Sequence, residues 1–242
     1  MKKLFLPCFA LLSCGTTGGA LVKVPMSVAG VQGPLTFTTA TGWTVTLTTA
    51  KVALGPFYFN ANPPDTQTFR NGTVILEATE QVVIDALDPT PRPLSAEADG
   101  ETGTAVSVEI DLFPPDATQS SADRRQIGPA NFGIVAGTAT KGATTVAFSG
   151  PLAIAALSDP SLQTTQKPLL AQERIRGAFV SLEITAAPQA LLLRVDPTHW
   201  FDTVDFTQVV NGTWDIHSAV LAALVQGVQQ ESGVYSFSLT PR

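Results

Sequence analysis

Large apolar residues alternate with polar residues along most of this chain. In residues 35–38 and 43–48 every second position is threonine, so each segment has one apolar and one polar face. A period of two is typical of a strand with one face in a core and the other in water, and β-branched residues suit that environment. The two segments are therefore predicted to be β-strands.

Further segments of similar composition follow, separated by glycine and proline. They lie at residues 74–76, 82–84, 106–112, 145–148, 179–184, 191–195 and 234–239. Many short alternating strands predict an all-β fold, either an antiparallel β-sandwich or a partly open barrel. Because the chain has no clear internal repeat and no long linker, residues 21–242 are predicted to form a single β-rich domain.

One segment near the C-terminus has a different period. Its apolar residues recur at helical spacing: Ile216, Val220, Leu221, Leu224, Val225 and Val228. We therefore predict one short amphipathic helix over residues 216–228, with Asp215 as its N-cap. Packing of this helix against the sandwich is favoured over a role in binding a partner.

Residues 196–206 combine carboxylates and aromatic rings more densely than any other stretch. The segment contains Asp196, Trp200, Phe201, Asp202, Asp205 and Phe206. The favoured interpretation is structural: Asp196-Pro197 starts a turn, and Asp202 caps a short helical turn that buries the three rings. The alternative is a binding segment in which the three carboxylates supply oxygen ligands to Ca²⁺, although their spacing does not match an EF-hand loop.

Composition limits the range of partners. Apolar residues make up 44 % of the 242 residues, which is ample for a core, and charged residues only 14 %, against a typical quarter. The formal net charge is −6, and Arg124-Arg125 is the only adjacent basic pair after the N-terminal segment. Nucleic acid is therefore excluded as a partner, because its phosphates need clustered lysine and arginine.

The N-terminal segment has a pattern of its own. Lys2-Lys3 precede an apolar run that ends in Leu11-Leu12-Ser13-Cys14, and Gly15 follows. The run is much shorter than the roughly 20 residues that span a bilayer. It resembles a bacterial lipoprotein signal, in which a charged region, an apolar region and a small residue precede a cysteine. The resemblance implies that residues 1–13 are a signal peptide and that Cys14 is acylated with a diacylglyceryl group.

This resemblance also implies an address. Residues 14–20 become the lipidated cysteine and a flexible tether, and Gly15, in place of aspartate, implies transfer to the outer membrane. Removal of residues 1–13 takes away two lysines and no acid, so the net charge moves from −6 to −8. The acyl chains, and not surface charge, then anchor the protein to the membrane. Since Cys8 is removed and Cys14 is acylated, no thiol remains for a disulfide, a metal site or a nucleophile.

The leading functional hypothesis is a non-enzymatic binding or assembly module on the cell envelope. Its partner would be an envelope protein or a polysaccharide, and the chain resembles β-rich envelope lipoproteins in general pattern. A carboxylate-dependent hydrolase is the third hypothesis, because four acids lie on predicted strands or beside them: Glu77, Glu80, Glu109 and Asp111. Neither a nucleophile elbow nor a glycine-rich phosphate loop is present.

The second hypothesis is a copper or zinc site. The chain has two histidines, His199 next to Trp200 and His217 close after Trp214, and imidazole is a common ligand of both metals. The arrangement resembles secreted copper-binding proteins that pair histidines with a modified tryptophan. Asp202 or Asp215 would complete the ligand set. The favoured alternative is that both imidazoles cap the rim of the core.

Overall fold

The computed structural model describes residues 18–63, 72–154, 174–215 and 218–242. For four residues of one strand, Arg174, Arg176, Gly177 and Phe179, only the backbone is described. Cys14, Ile216 and His217 lie outside the described residues, so the predictions that rest on them stay predictions.

Strands form most of the regular structure. They are β1 (Leu21–Val24), β2 (Met26–Ala29), β3 (Leu35–Thr38), β4 (Thr44–Leu54), β5 (Phe57–Asn60), β6 (Val74–Ala78), β7 (Val82–Asp85), β8 (Arg92–Pro93), β9 (Ala98–Glu101), β10 (Gly103–Asp111), β11 (Gly133–Lys141), β12 (Thr144–Leu152), β13 (Arg174–Ile184), β14 (Gln189–Val195) and β15 (Tyr235–Pro241). The helices are α1 (Ser121–Ile127) and α2 (Ala219–Val228), with 3₁₀ helices at Pro197–Phe201 and Phe206–Gln208.

The strands of the described residues form three sheets. One has the order β1-β9-β6-β5-β10-β13, the second β12-β11-β4-β3 with β7 beside β4, and the third β15-β14-β2-β8. The sheets curl like part of a barrel and enclose one large apolar core. The predicted all-β, sandwich-like fold with a short C-terminal helix is confirmed.

One strand pair departs from the antiparallel pattern. β2 and β14 are parallel, with Met26 opposite Leu191 and Ala29 opposite Arg194. The remaining pairs in the described sheets are antiparallel. Strand β2 is thereby held against a strand that begins more than 160 residues later.

The alternation of apolar residues with threonine defines the two faces of the second sheet. Val45 and Leu47 on β4 are buried, whereas Thr44 between the turn and Val45 is exposed. Thr36 lies opposite Thr46, and Thr46 lies opposite Thr138, so threonines form a row across three strands. The period of two correctly predicts which face of these strands enters the core.

Helix α2 begins later than the sequence pattern predicts. Its N-cap is Ser218, whose Oγ accepts a hydrogen bond from the Leu221 N–H at 3.3 Å. The predicted cap, Asp215, is wrong: its carbonyl accepts from the Ser218 N–H in the turn that precedes the helix. A serine in extended conformation directly before the apolar run supplies the same capping hydrogen bond.

Helix α1 was not expected from the apolar pattern because it buries only Ile127. Its first turn is held by a reciprocal pair: the Asp123 N–H donates to Ser120 Oγ at 3.1 Å, and the Ser120 hydroxyl donates to Asp123 Oδ2 at 2.7 Å. This resembles a capping box, in which a short acidic residue replaces the usual glutamate. Ile127 joins a small apolar cluster with Ala53 and Val83.

Hydrogen bonds fix the chain before β1 begins. The Gly19 N–H donates to Glu101 Oε2 at 3.1 Å, and the Ala20 N–H donates to Thr102 Oγ1 at 2.9 Å. The Thr102 N–H in turn donates to the Ala20 carbonyl at 2.8 Å. Bonded structure therefore begins within the segment 14–20 that the sequence predicts to be a tether.

Candidate functional site

The segment between β14 and β15 contains the first candidate site, the His199 turn, defined as residues 196–202. Asp196 is the N-cap of the 3₁₀ helix Pro197–Phe201, and its Oδ1 accepts from the Thr198 N–H at 3.0 Å. Proline at the first helical position suits this start because it lacks an N–H to satisfy. The predicted turn at Asp196-Pro197 is present. Asp202, predicted to cap the short helical turn, lies at its C-terminal end and not at its start.

His199 is the imidazole of this turn, and it forms a pair with a carboxylate. Its Nδ1 lies 2.8 Å from Asp202 Oδ2, and the two side chains are 50 % and 26 % exposed. A carboxylate on Nδ1 fixes the orientation of the ring and directs Nε2 away from the pair. Gly233 lies against the other side of the ring, since a Cβ there would be 3.0 Å from His199 Cδ2.

Trp200 is fully buried beneath helix α2. Gly227 of that helix allows the contact, because a Cβ on Gly227 would lie 2.1 Å from the Trp200 carbonyl oxygen. The indole Nε1 is buried and has no hydrogen-bond partner among the described residues. Close backbone approach explains why a glycine lies near the end of an otherwise aliphatic helix.

Phe201 and Phe206 complete the set of three rings, and both are buried. They stack at a centroid distance of 6.1 Å with 13° between their planes, and Phe148 of β12 contacts both. Trp43 meets Phe206 edge-on at 5.5 Å. The segment is thus anchored in the core by an aromatic cluster, which agrees with its structural interpretation.

The carboxylates of this segment do not converge on a metal position. Asp205 caps the second 3₁₀ helix, and its Oδ1 accepts from the Thr207 N–H at 3.0 Å and the Thr207 hydroxyl at 2.8 Å. These hydrogen bonds hold the pKa of Asp205 below its ordinary value. Within the described ranges, no group of three or more histidine, cysteine, aspartate or glutamate side chains is positioned to hold a metal ion.

The structure describes the surroundings of the predicted histidine pair only in part. His199 and Asp202 are adjacent, while Asp215 is exposed near the start of α2 and has an interaction of its own. Gly227, which touches Trp200, lies eight residues after Ala219. Eight residues correspond to about 12 Å of helix, so His199 packs near the end of α2 that is farther from Asp215.

The acids proposed for a hydrolase do not share one environment, and Glu77 is exposed on β6. Glu109 and Asp111 lie on β10, an interior strand between β5 and β13, and are only 7 % and 4 % exposed. Both have interactions in the structure. Glu80 accepts hydrogen bonds from the N–H groups of Ser95 and Ala96.

A groove that the sequence pattern does not indicate lies at the start of the first sheet. The groove has a volume of about 650 Å³ and is lined by residues 21–23, 74–77 and 99–101. Gly100 permits it, because a Cβ there would lie 2.1 Å from the Ile75 carbonyl oxygen and prevent β6 and β9 from pairing. A glycine within a strand is the one sequence signal for such a close approach.

One end of this groove carries two exposed apolar side chains, Leu21 and Val74, next to Glu101. We call these three residues the N-terminal rim. Leu21 pairs with Glu101 across β1 and β9, and Val74 begins the next strand, β6. Leu21 is 91 % exposed and Val74 is 43 % exposed. The rim lies where the chain enters the domain from Gly19.

A second, smaller cavity contains a cluster of charges near helix α1. Its volume is about 160 Å³. Lys51 Nζ lies 3.1 Å from Asp123 Oδ1, and Arg92 Nη1 lies 3.8 Å from Asp123 Oδ2. These contacts attach helix α1 to β4 of the second sheet and to β8 of the third.

No family model matches the chain, and no curated protein matches it. Among solved structures, the chain is similar to MbnP from Methylosinus trichosporium, with 10 % sequence identity and a TM-score of 0.43 over 91 % of this chain and 98 % of that chain. This similarity is too distant to support a conclusion about function. None of the described helices is long and apolar enough to cross a bilayer.

Proposed function

We propose that this chain is a lipid-anchored protein of the bacterial cell envelope whose β-domain is a non-enzymatic binding or assembly module. The observation that carries the proposal is the sequence Leu11-Leu12-Ser13-Cys14-Gly15 after a lysine pair. Acylation of Cys14 follows from its resemblance to a lipoprotein signal. Gly15 supports the outer membrane as the destination.

The domain that follows supports a binding role through its exposed polar face. Threonines project from neighbouring strands of the second sheet, and Thr36, Thr44 and Thr138 are exposed. Hydroxyl groups both donate and accept hydrogen bonds without adding charge. Such a face suits a polar envelope partner, either a protein or a polysaccharide.

The proposal is tested by replacing each N-terminal cysteine in a bacterial host that processes lipoproteins. The wild-type protein should incorporate labelled fatty acid and sediment with membranes, and Cys14→Ser should lose both properties. Cys8→Ser is the matched control, because that residue lies in the removed segment and should leave lipidation unchanged. Equal labelling of wild type and Cys14→Ser would contradict the proposal.

A second candidate function, copper or zinc binding, is favoured by the pair of His199 Nδ1 and Asp202 Oδ2 at 2.8 Å. A carboxylate partner on one ring nitrogen is common among metal-binding histidines and fixes the tautomer. The hypothesis also requires His217, and it leaves Asp215 out of the ligand set because His199 packs near the end of α2 that is farther from Asp215. Because imidazole must be deprotonated to bind metal, occupancy should fall as the solution is acidified.

Titration with Cu²⁺ or Zn²⁺ separates the two functions. If His199 is a ligand, His199→Ala should abolish one equivalent of bound metal, His217→Ala should do the same, and Asp202→Asn should weaken binding 10- to 100-fold. Unchanged stoichiometry in both histidine variants would remove the metal hypothesis. The lipid-anchored module would not be affected by that result.

A further inference from the structure

We propose that the N-terminal rim is the surface through which the anchored protein contacts the bilayer. The occupant of this surface is the headgroup region of a neutral phospholipid leaflet. The inference rests on the proposed acylation of Cys14 and adds to it an orientation of the domain. Three observations support it: the reach of the chain after Cys14, the position of exposed apolar residues, and the charge around them.

The reach of the chain is short. Gly19 and Ala20 are hydrogen-bonded to Glu101 and Thr102, so the domain holds the chain from the fifth residue after Cys14 onward. An extended chain covers at most about 3.3–3.6 Å per residue, so Cys14 and Gly19 lie within about 18 Å of each other. The headgroup region of one leaflet is about 5–8 Å thick. The strand end next to Gly19 is therefore held close to the lipid surface.

Exposed apolar residues are concentrated at this same end. Three large apolar side chains in the described ranges are strongly exposed, and two of them, Leu21 at 91 % and Val74 at 43 %, belong to the rim. The third, Val210, lies beside β12, where the Ser149 N–H donates to the Gly212 carbonyl. Isolated exposed apolar residues are ordinary, but a pair at the anchored end is placed to enter the bilayer interface.

The charges of the groove determine which lipid the rim accepts. Lys23 forms an ion pair with Asp99 at 2.7 Å, and Glu77 and Glu101 lie near this pair without a second lysine in the lining. The surplus of negative charge repels an anionic leaflet within about one Debye length, roughly 8–10 Å. Contact is therefore expected with zwitterionic lipid and is expected to weaken as anionic lipid is added.

The test uses the acylated mature protein, residues 14–242, reconstituted in phosphatidylcholine vesicles. Val74→Cys and Val210→Cys each receive a fluorescent probe, and a lipid with a nitroxide on its headgroup quenches probes at the surface. Quenching should be several-fold stronger at position 74 than at position 210, the matched exposed apolar site. Equal quenching at the two positions, or stronger quenching at position 210, would overturn the proposed orientation.

Further measurements distinguish a failure of the proposed orientation from a failure of the proposed lipid anchor. Leu21→Asp and replacement of half the lipid by phosphatidylglycerol should each reduce quenching at position 74. If neither change reduces quenching there, the proposal is also overturned. The acyl mass on Cys14 is measured in every preparation. A preparation without acyl mass overturns the lipid anchor and the orientation together, whereas an acylated protein with equal quenching overturns the orientation alone.

Discussion

The His199 turn and the N-terminal rim both carry large apolar residues next to charged ones, yet the fold treats them in opposite ways. In the His199 turn, Trp200 and Phe201 are fully buried, and helix α2 and strand β12 cover them. At the rim, Leu21 and Val74 begin strands at one end of a sheet and remain exposed. The difference lies in position within the fold and not in residue type.

This comparison separates residues that hold the domain together from residues available to a partner. Burial of a large side chain contributes about 1.5–3 kcal/mol relative to exposure, so the turn is expected to contribute strongly to stability. The rim is expected to contribute almost nothing to stability in solution. Stability and membrane contact should therefore respond to different substitutions.

Trp200→Ala is expected to have the largest effect on stability. Removal of a buried tryptophan or phenylalanine costs about 3–5 kcal/mol, a large share of a typical free energy of unfolding of 5–15 kcal/mol. Urea denaturation followed by far-UV circular dichroism measures the change. Val210→Ala, which truncates an exposed side chain, is the control and should stay within about 0.5 kcal/mol of wild type. An unchanged midpoint in Trp200→Ala would place Trp200 outside the core.

Gly227→Ala should be destabilising although alanine is the better helix former. Alanine gains about 1 kcal/mol of helix propensity over glycine, but its Cβ would lie 2.1 Å from the Trp200 carbonyl oxygen. Overpacking of this kind costs about 1–3 kcal/mol. In the same helix, exposed Gln226→Ala is the matched control and should be neutral. A higher thermal midpoint in Gly227→Ala would contradict the close contact.

Asp123→Asn should lower stability by about 1 kcal/mol at neutral pH and by less in acid. Desolvation raises the pKa of Asp123, but hydrogen bonds from Ser120 and Lys51 and the charges of Lys51 and Arg92 outweigh it, so the folded pKa lies below the ordinary value of 3.8. A depressed folded pKa contributes stability above the unfolded pKa, and this contribution is lost as the pH falls through the folded value. Denaturation curves of wild type and variant should therefore converge below about pH 4. A constant difference from pH 7 to pH 3 would contradict the prediction.

Leu21→Ala should have the smallest effect on stability. The side chain is 91 % exposed, and substitutions at such positions usually change the free energy of unfolding by less than about 0.5 kcal/mol. Urea denaturation of the detergent-solubilised protein checks this expectation. A loss above 1 kcal/mol would mean that Leu21 packs in the domain and would remove the contrast between the rim and the turn.

Much of the fold could be predicted from the sequence, because burial in a sheet repeats every two residues. Val45 and Leu47 face the core, and Thr44 faces solvent, as the alternation requires. The parallel pairing of β2 with β14 has no such local signal, since it joins Met26 to Leu191 across most of the chain. Which strands become neighbours is decided by packing of the whole domain.

The candidate sites were less predictable than the strands, because most of their contacts also depend on which elements become neighbours in the folded domain. The proximity of His199 to Asp202 follows from their spacing of three residues on a helical turn. The N-terminal rim depends on the register of β1, β9 and β6, and Gly100 is its one local mark. The helix cap at Ser218 was missed because Asp215, an equally good capping residue, lies three positions earlier.

Cys14 is proposed to carry the lipid that holds this domain at the membrane. Mass spectrometry of the N-terminal peptide of the protein isolated from a bacterial envelope tests it most directly. We expect the mature chain to begin at Cys14 and this residue to carry the added mass of a diacylglyceryl group. A mature chain that retains residues 1–13, or that begins at an unmodified Cys14, would contradict it.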